Sequence, residues 1–345
     1  MTQTIFRIHP TINFARVGDS EEYYIAPETA AGEIVQSDPP MFGGLPIRPG
    51  TDDTPITAEH LRDSQGRVKR QAARFRLFAY DDGPQTRYPS GCGREVSIGS
   101  TVATSDGPKT IRDIVWMVHL ANKKANNYMI ADNGQELGIL AYENGRTPPI
   151  RNAKFGSDLG APDRRRKLVI DAGPRALLAS TAGSVTLPFD DTTTPTTFTA
   201  ATNPIVCVPD YPVSFPFMHF DLLEPQGRID TLGEMTIEEH SGRLLVVGGY
   251  GRAAGIIDSD RKPPLDDAID NDNWFDDTSD GPVRALVIFH DGTWVEAVGA
   301  WFVCTDPGYA PQVRNVVSTW DDILSTWVEK LDLIPDLFSN GQYNP

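Results

Sequence analysis

The chain has 345 residues, 39% hydrophobic and 23% charged, and its 31 Lys and Arg against 47 Asp and Glu give a formal charge of −16. That length suits one large or two medium β-rich domains with a sizeable core, and the composition excludes a disordered chain. An acidic surface repels phosphate backbones and anionic headgroups, so neither nucleic acid nor membrane is an expected partner.

Residues 1–7 lack a basic stretch followed by an apolar core, so no ordinary signal peptide is expected, and the chain is cytoplasmic or exported by an unconventional route. No run of 18 apolar residues occurs, so no transmembrane helix is expected. Three distant cysteines, Cys92, Cys207 and Cys304, make neither a disulfide framework nor a zinc pattern and read as reduced thiols. Residues 5–8 and 23–25 read as short strands. Residues 39–55, rich in Pro, Gly and Asp, are linker-like. Residues 74–80 form a longer strand closed by Asp81-Asp82-Gly83. Residues 114–120 are apolar on both parities apart from His119, and Val115, Trp116 and Val118 favour a buried strand over a helix. The basic run Arg164-Arg165-Arg166-Lys167 reads as a solvated entry to the strand 168–170, after which Asp171-Ala172-Gly173-Pro174 makes a turn. Residues 181–203, a Thr/Ser-rich linker-like segment with apolar alternation only at Val185, Leu187 and Phe189, mark a soft division. It separates a β-rich region 1–180 from a β-rich region 204–345, the alternative being one continuous domain.

Residues 244–247 form a strand running into Gly248-Gly249-Tyr250-Gly251. Residues 285–289 and 294–304 form a hairpin about Asp291-Gly292, a pair that supplies positive φ. Near the end, Val316, Val317, Trp320, Ile323, Leu324, Trp327, Val328 and Leu331 recur at three- and four-residue spacing. They make the apolar stripe of an amphipathic helix with Ser318 as its N-cap, and this helix must bury a wide face. The expected fold is mainly β with a few helices, a large β-sandwich-like scaffold with a C-terminal amphipathic helix.

Residues carrying chemistry are sparse. The acidic stretch 270–281 offers Asp270, Asp272 and Asp276 as oxygen ligands for Ca²⁺ or Mg²⁺. An EF-hand would need Gly at its sixth position and Glu at its twelfth, where this chain has Phe275 and Gly281, so Asx-bonded turns are the competing reading. The Gly248 to Gly255 loop lacks the Lys-Ser/Thr of a phosphate cradle. His119 reads as a satisfied core histidine. His219, among aromatics and beside Asp221, is a candidate pocket residue, as is Glu234, a carboxylate with no visible partner. No Gly-x-Ser-x-Gly elbow occurs.

Several phrases, taken in order, resemble one family. They are Ile8-His9-Pro10, Phe14-Ala15-Arg16-Val17-Gly18-Asp19-Ser20, residues 69–75 and 118–125, Ile170-Asp171-Ala172-Gly173-Pro174-Arg175, Leu232-Gly233-Glu234, residues 242–249, residues 273–282 and Asp306-Pro307-Gly308-Tyr309-Ala310-Pro311. Nine phrases spread over nearly the whole chain resemble the N-terminal half of the LodA/GoxA-like quinoprotein amino-acid oxidases, which include lysine ε-oxidases and glycine oxidases. The resemblance implies oxidative deamination of an amino acid with O₂, giving H₂O₂ and ammonia. The cofactor would be cysteine tryptophylquinone, with the electron-sink chemistry belonging to that group. It also implies a flavoprotein maturation partner and an oligomer. Family members are longer than this chain, and their cofactor Cys and Trp lie in the C-terminal half. The expectation is that no residue of this chain forms the quinone, Cys304 and Trp301 included, because these two fall in a strand phrase independent of the cofactor. A C-terminal half or second chain would supply it. The alternative is a non-catalytic binding or structural relative that has lost the cofactor half.

Overall fold

The computed structural model describes residues 4–32, 34–37, 40–80, 93–122, 166–199, 202–257, 274–314, 319–336, 338–339 and 341–343. Its centre is a 14-stranded sheet. One continuous path of hydrogen-bonded strands runs Ile170–Leu178, Gly107–Asn122, Ser279–Phe289, Ala300–Thr305, Ile12–Arg16, Arg70–Tyr80, Leu244–Val247, Thr231–Ile237 and Thr186–Asp190. Neighbours are antiparallel except Ile12–Arg16 beside Ala300–Thr305. Strands from both sides of 181–203 alternate along this path. That segment itself supplies Thr186–Asp190, because Val185, Leu187 and Phe189 put their side chains on the core.

Period-two patterning explains the strands. Along Arg70–Tyr80, Ala73, Phe75, Leu77 and Ala79 enter the main core, while Arg70, Arg74 and Arg76 share the other face. Along Gly107–Asn122, Ile114, Trp116, Val118 and Leu120 enter that core. The opposite positions Val115 and Met117 pack with Ala176, Leu286 and Ile288 in a second cluster. This strand is buried on both faces, which is why its sequence shows no alternation.

The sheet curls until its first strand packs against its last. Among the described residues no backbone ladder joins those two strands. A side chain does so instead: fully buried Arg175 donates from Nε to Pro188 O (2.8 Å), from Nη2 to Asp190 O (3.1 Å) and from Nη1 to Ala172 O (2.8 Å).

Two expectations need correction. Asp171 to Pro174 do not end a strand. They form an irregularity inside Ile170–Leu178, where Gly173 takes φ +74° and the register shifts between Asp171 and Pro174. A bulge keeps the ladder going where a turn would end it. The C-terminal helix is short, Thr319–Ser325, continuing as a π turn Thr326–Lys330. Val328 is buried, but Ile323, Trp327 and Leu331 are 38%, 39% and 55% exposed, so the apolar stripe is left largely uncovered. Its expected N-cap, Ser318, lies outside the described residues. The hairpin about Asp291-Gly292 forms as expected, with Gly292 at φ +83° and Thr293 N donating to Asp291 Oδ1 at 2.9 Å. No helix among the described residues is long and apolar enough to cross a membrane.

Candidate functional site

A cluster of three titratable groups centred on a histidine sits on the outer face of Gly107–Asn122. His119 Nε2 lies 2.7 Å from Asp171 Oδ1 and 3.1 Å from the Tyr211 hydroxyl, which itself donates to Asp171 Oδ2 at 3.0 Å. The bulge builds this arrangement. Gly173 N donates to Asp171 Oδ1 (2.9 Å), and a Cβ on Gly173 would meet Tyr211 Cδ1 at 2.8 Å. Glycine is therefore required both for its φ and for room. Burial works to raise the Asp171 carboxyl, but the His119 hydrogen bond and charge, with Gly173 N–H and the Tyr211 hydroxyl, outweigh it and hold it below the usual range. Burial and then Asp171 push the Tyr211 phenol up. A carboxylate only accepts, so Nε2 of His119 carries the hydrogen of this bond.

His219 stands next to this cluster. Asp171 and Ser214 exchange backbone hydrogen bonds of 2.8 and 2.9 Å, and Ser214 Oγ lies 2.9 Å from His219 Nε2. The partner is thus buried Ser214, which Asp171 positions through the backbone; the neighbouring Asp221 accepts Ile257 N through its own backbone oxygen.

Glu234 is elsewhere and has a partner. Its Oε1 accepts from Arg70 Nη2 at 3.0 Å. Arg70, 1% exposed, is also held by Ser20 O and Glu21 O and lies 4.5 Å over the Tyr250 ring. Glu234 lines a cavity of about 660 Å³ with a floor of Ile25, Leu245 and Val247 and carboxylates Asp52, Glu238 and Glu239 at its sides. Neither His119 nor His219 lines this cavity, so the two candidate pocket residues fall in separate places.

Asp270 and Asp272 lie outside the described residues. Asp276 Oδ1 accepts from Asn122 Nδ2 (3.0 Å) and Thr278 N (3.1 Å), and Oδ2 from Trp274 Nε1 (3.0 Å), the Asx-type bonding of a structural turn. Among the described residues no group of three His, Cys, Asp or Glu could hold a metal ion. The glycine loop after Leu244–Val247 serves packing. Asp277 Oδ2 accepts Tyr250 N at 2.7 Å, and a Cβ on Gly248 would meet Cys304 Sγ at 2.3 Å.

Cys304 and Trp301 do not fit a cross-linked quinone. Three residues apart on Ala300–Thr305, they point to opposite faces: Cys304 is buried against Gly248, and Trp301 is 42% exposed with Nε1 donating to Asp280 Oδ2 at 2.9 Å. Asp171, Tyr211 and Arg70 are the functional neighbours that sequence reading missed. Only Asp171 carried a local signal, the Asp-x-Gly spacing that lets a carboxylate accept a backbone N–H two residues on.

The L-Lysine epsilon oxidase N-terminal family matches residues 9–304. The L-lysine 6-oxidase of Marinomonas mediterranea is 30% identical over 337 residues, covering 97% of this chain and 38% of that protein. Among solved structures, the L-Lys ε-oxidase of M. mediterranea matches with a TM-score of 0.62 at 27% identity, over 98% of this chain and 42% of that one. The Schiff base intermediate of the same oxidase with L-Lys matches with a TM-score of 0.62 at 26% identity, with the same coverage. The chain thus spans about two fifths of the length of the relatives it matches.

Proposed function

This chain belongs to the L-Lysine epsilon oxidase N-terminal family, and from that premise we propose that it is the N-terminal portion or a subunit of an amino-acid oxidase. The reaction would convert a lysine- or glycine-like amine, with O₂ and water, to a carbonyl product, ammonia and H₂O₂. The observation carrying this reading is a match that spans 97% of this chain but only 38% of the lysine oxidase. Cys304 and Trp301 do not fit a tryptophylquinone, so no step is routed through these residues. A C-terminal half or second chain would supply the quinone, with a flavoprotein as maturation partner.

This chain's role is then scaffold and pocket wall. The exposed stripe of Ile323, Trp327 and Leu331 is the surface that the quinone-bearing part would cover, since apolar side chains exposed together mark an interface. Separately, Asp171, held ionised between His119 and Tyr211, offers an anchor for a substrate ammonium group.

The test measures peroxide release from L-lysine and from glycine, using the chain alone and then co-expressed with a quinone-bearing chain. Expected is no turnover alone, and turnover with redox-cycling quinone staining in the complex. Turnover by the chain alone, or a quinone-bearing oxidase equally active without it, overturns the reading. The second outcome favours a non-catalytic relative.

A further inference from the structure

A second cavity, of about 350 Å³, lies between the Ile12–Arg16 strand and the 312–314 segment. Its lining is Asn13, Phe14, Arg16, Pro27, Gln71, Gln312, Val313 and Arg314. Two guanidinium groups and three carboxamides line it, and among the described residues no carboxylate does. In a chain of charge −16 this is a local reversal of sign.

The cationic groups are held in place. Arg314 donates from Nη1 to Glu28 O (2.7 Å) and from Nη2 to Ile12 O (2.8 Å), which fixes its charge at the cavity wall. The stem of Arg16 passes beneath Gly308. A Cβ on Gly308 would meet Arg16 Cδ at 3.2 Å and Tyr24 Oη at 2.6 Å, so glycine at 308 leaves room for both side chains. Arg16 Nη1 reaches Asp306 O at 3.3 Å, a long and exposed bond. That bond uses one of the five N–H donors a guanidinium carries.

The floor is rigid as well. Asn13 and Gln71 are almost fully buried, with Asn13 Nδ2 donating to Arg74 O (3.0 Å) and Gln71 Nε2 to Phe14 O (2.6 Å). The buried carboxylate of Glu28, whose backbone oxygen holds Arg314, is itself bound by Arg74 Nε (2.6 Å) and Arg76 Nη2 (2.5 Å). Phe14, Pro27 and Val313 add an apolar wall.

We propose that this cavity binds a small aliphatic carboxylate, its oxygens on the Arg16 guanidinium and its hydrocarbon against Phe14, Pro27 and Val313. Guanidinium pairs with carboxylate through two parallel hydrogen bonds, and a positioned fork loses little freedom on doing so. The fixed charge of Arg314 adds long-range attraction. The volume equals that of about a dozen liquid waters, which suits an acid of amino-acid size. The proposal does not depend on where the quinone comes from.

Isothermal titration of the full chain with hexanoate tests it, with hexanamide and hexylamine as isosteric probes. Hexanoate is expected to bind saturably and to weaken with added salt, while the amide and amine bind at least about tenfold more weakly. Arg16→Gln should cost at least about tenfold in hexanoate affinity. Val313→Asp sets a carboxylate into the wall from a half-exposed position that the fold does not need, and should cost at least about tenfold more than Val313→Asn, which removes the same apolar contact without adding charge. Should Arg16→Gln fail to fold, the Val313 pair decides. Hexanamide binding as well as hexanoate, Val313→Asp binding as Val313→Asn does, or no hexanoate binding at all overturns the proposal.

Discussion

At the scale of residues, two buried titratable groups respond to pH in opposite directions. Burial, against the pull of Glu28, lowers the His9 imidazole to about 4. A histidine depressed in the fold gives stability that is whole above its unfolded value of 6.5 and is lost as pH falls toward 4, about 3 kcal/mol over that window. Asp277 behaves the other way. Burial raises its carboxyl to about 6, so its contribution is whole below its unfolded value of 3.8 and is lost as pH rises through 6, about 2–3 kcal/mol. On acidification from pH 6.5 to 4 the two offset each other. Asp277→Asn keeps an acceptor for Tyr250 N but removes the titration. The variant should therefore lose about 2–3 kcal/mol across that interval while the parent stays nearly level, as read from urea midpoints. A variant as level as the parent would refute the assignment. A steric pair is as specific. Gly248→Ala would set its Cβ 2.3 Å from Cys304 Sγ and should cost about 1–3 kcal/mol. Adding Cys304→Ala should recover most of that loss, and a double-mutant cycle reads the coupling.

At the scale of elements, the curled sheet relies on side chains where backbone pairing stops. Arg175→Met keeps the stem but strips the donors from Pro188 O and Asp190 O. It should cost about 2–5 kcal/mol, because three carbonyls, that of Ala172 included, lose a charged partner inside the protein. Hydrogen exchange should quicken in Ile170–Leu178 and Thr186–Asp190 and stay slow in Arg70–Tyr80; uniform quickening would mean that the seam is not a local closure. The Arg70–Tyr80 strand shows the same logic on its polar face. Arg74, fully buried, pairs with Glu28 (2.6 Å) and Glu238 (3.1 Å), so Arg74→Ala leaves Glu28 to Arg76 and Glu238 to Arg243 and should cost about 3 kcal/mol, visible as a lower melting temperature.

At the scale of the whole molecule, several large apolar side chains stand exposed. Besides the C-terminal stripe, Ile12 and Trp301 are paired neighbours on one sheet face, 41% and 42% exposed. Leu331→Lys should leave the melting temperature unchanged, since Leu331 is more than half exposed. It should nonetheless weaken association with a quinone-bearing chain by at least about tenfold, measured by sedimentation or titration. Undiminished association would remove the helix from the interface.

The sequence by itself determined the β-rich class, the family and most strands, because period-two burial writes itself into local patterning. The Phe75-Leu77 alternation, the Asp291-Gly292 turn and the apolar run about Trp116 were legible for that reason. Tertiary structure alone decided what polar residues do. Asp171 looked like a turn residue until the bulge at Gly173 brought it to His119 and Tyr211, 52 and 40 positions away in the chain. Glu234 looked unpaired because Arg70 is 164 residues distant. Arg175 carried no local signal of its role, because the seam it closes exists only once the sheet has curled. Hydrophobic period is a property of neighbours in sequence; charge pairing and sheet closure belong to residues that meet only once the chain has folded.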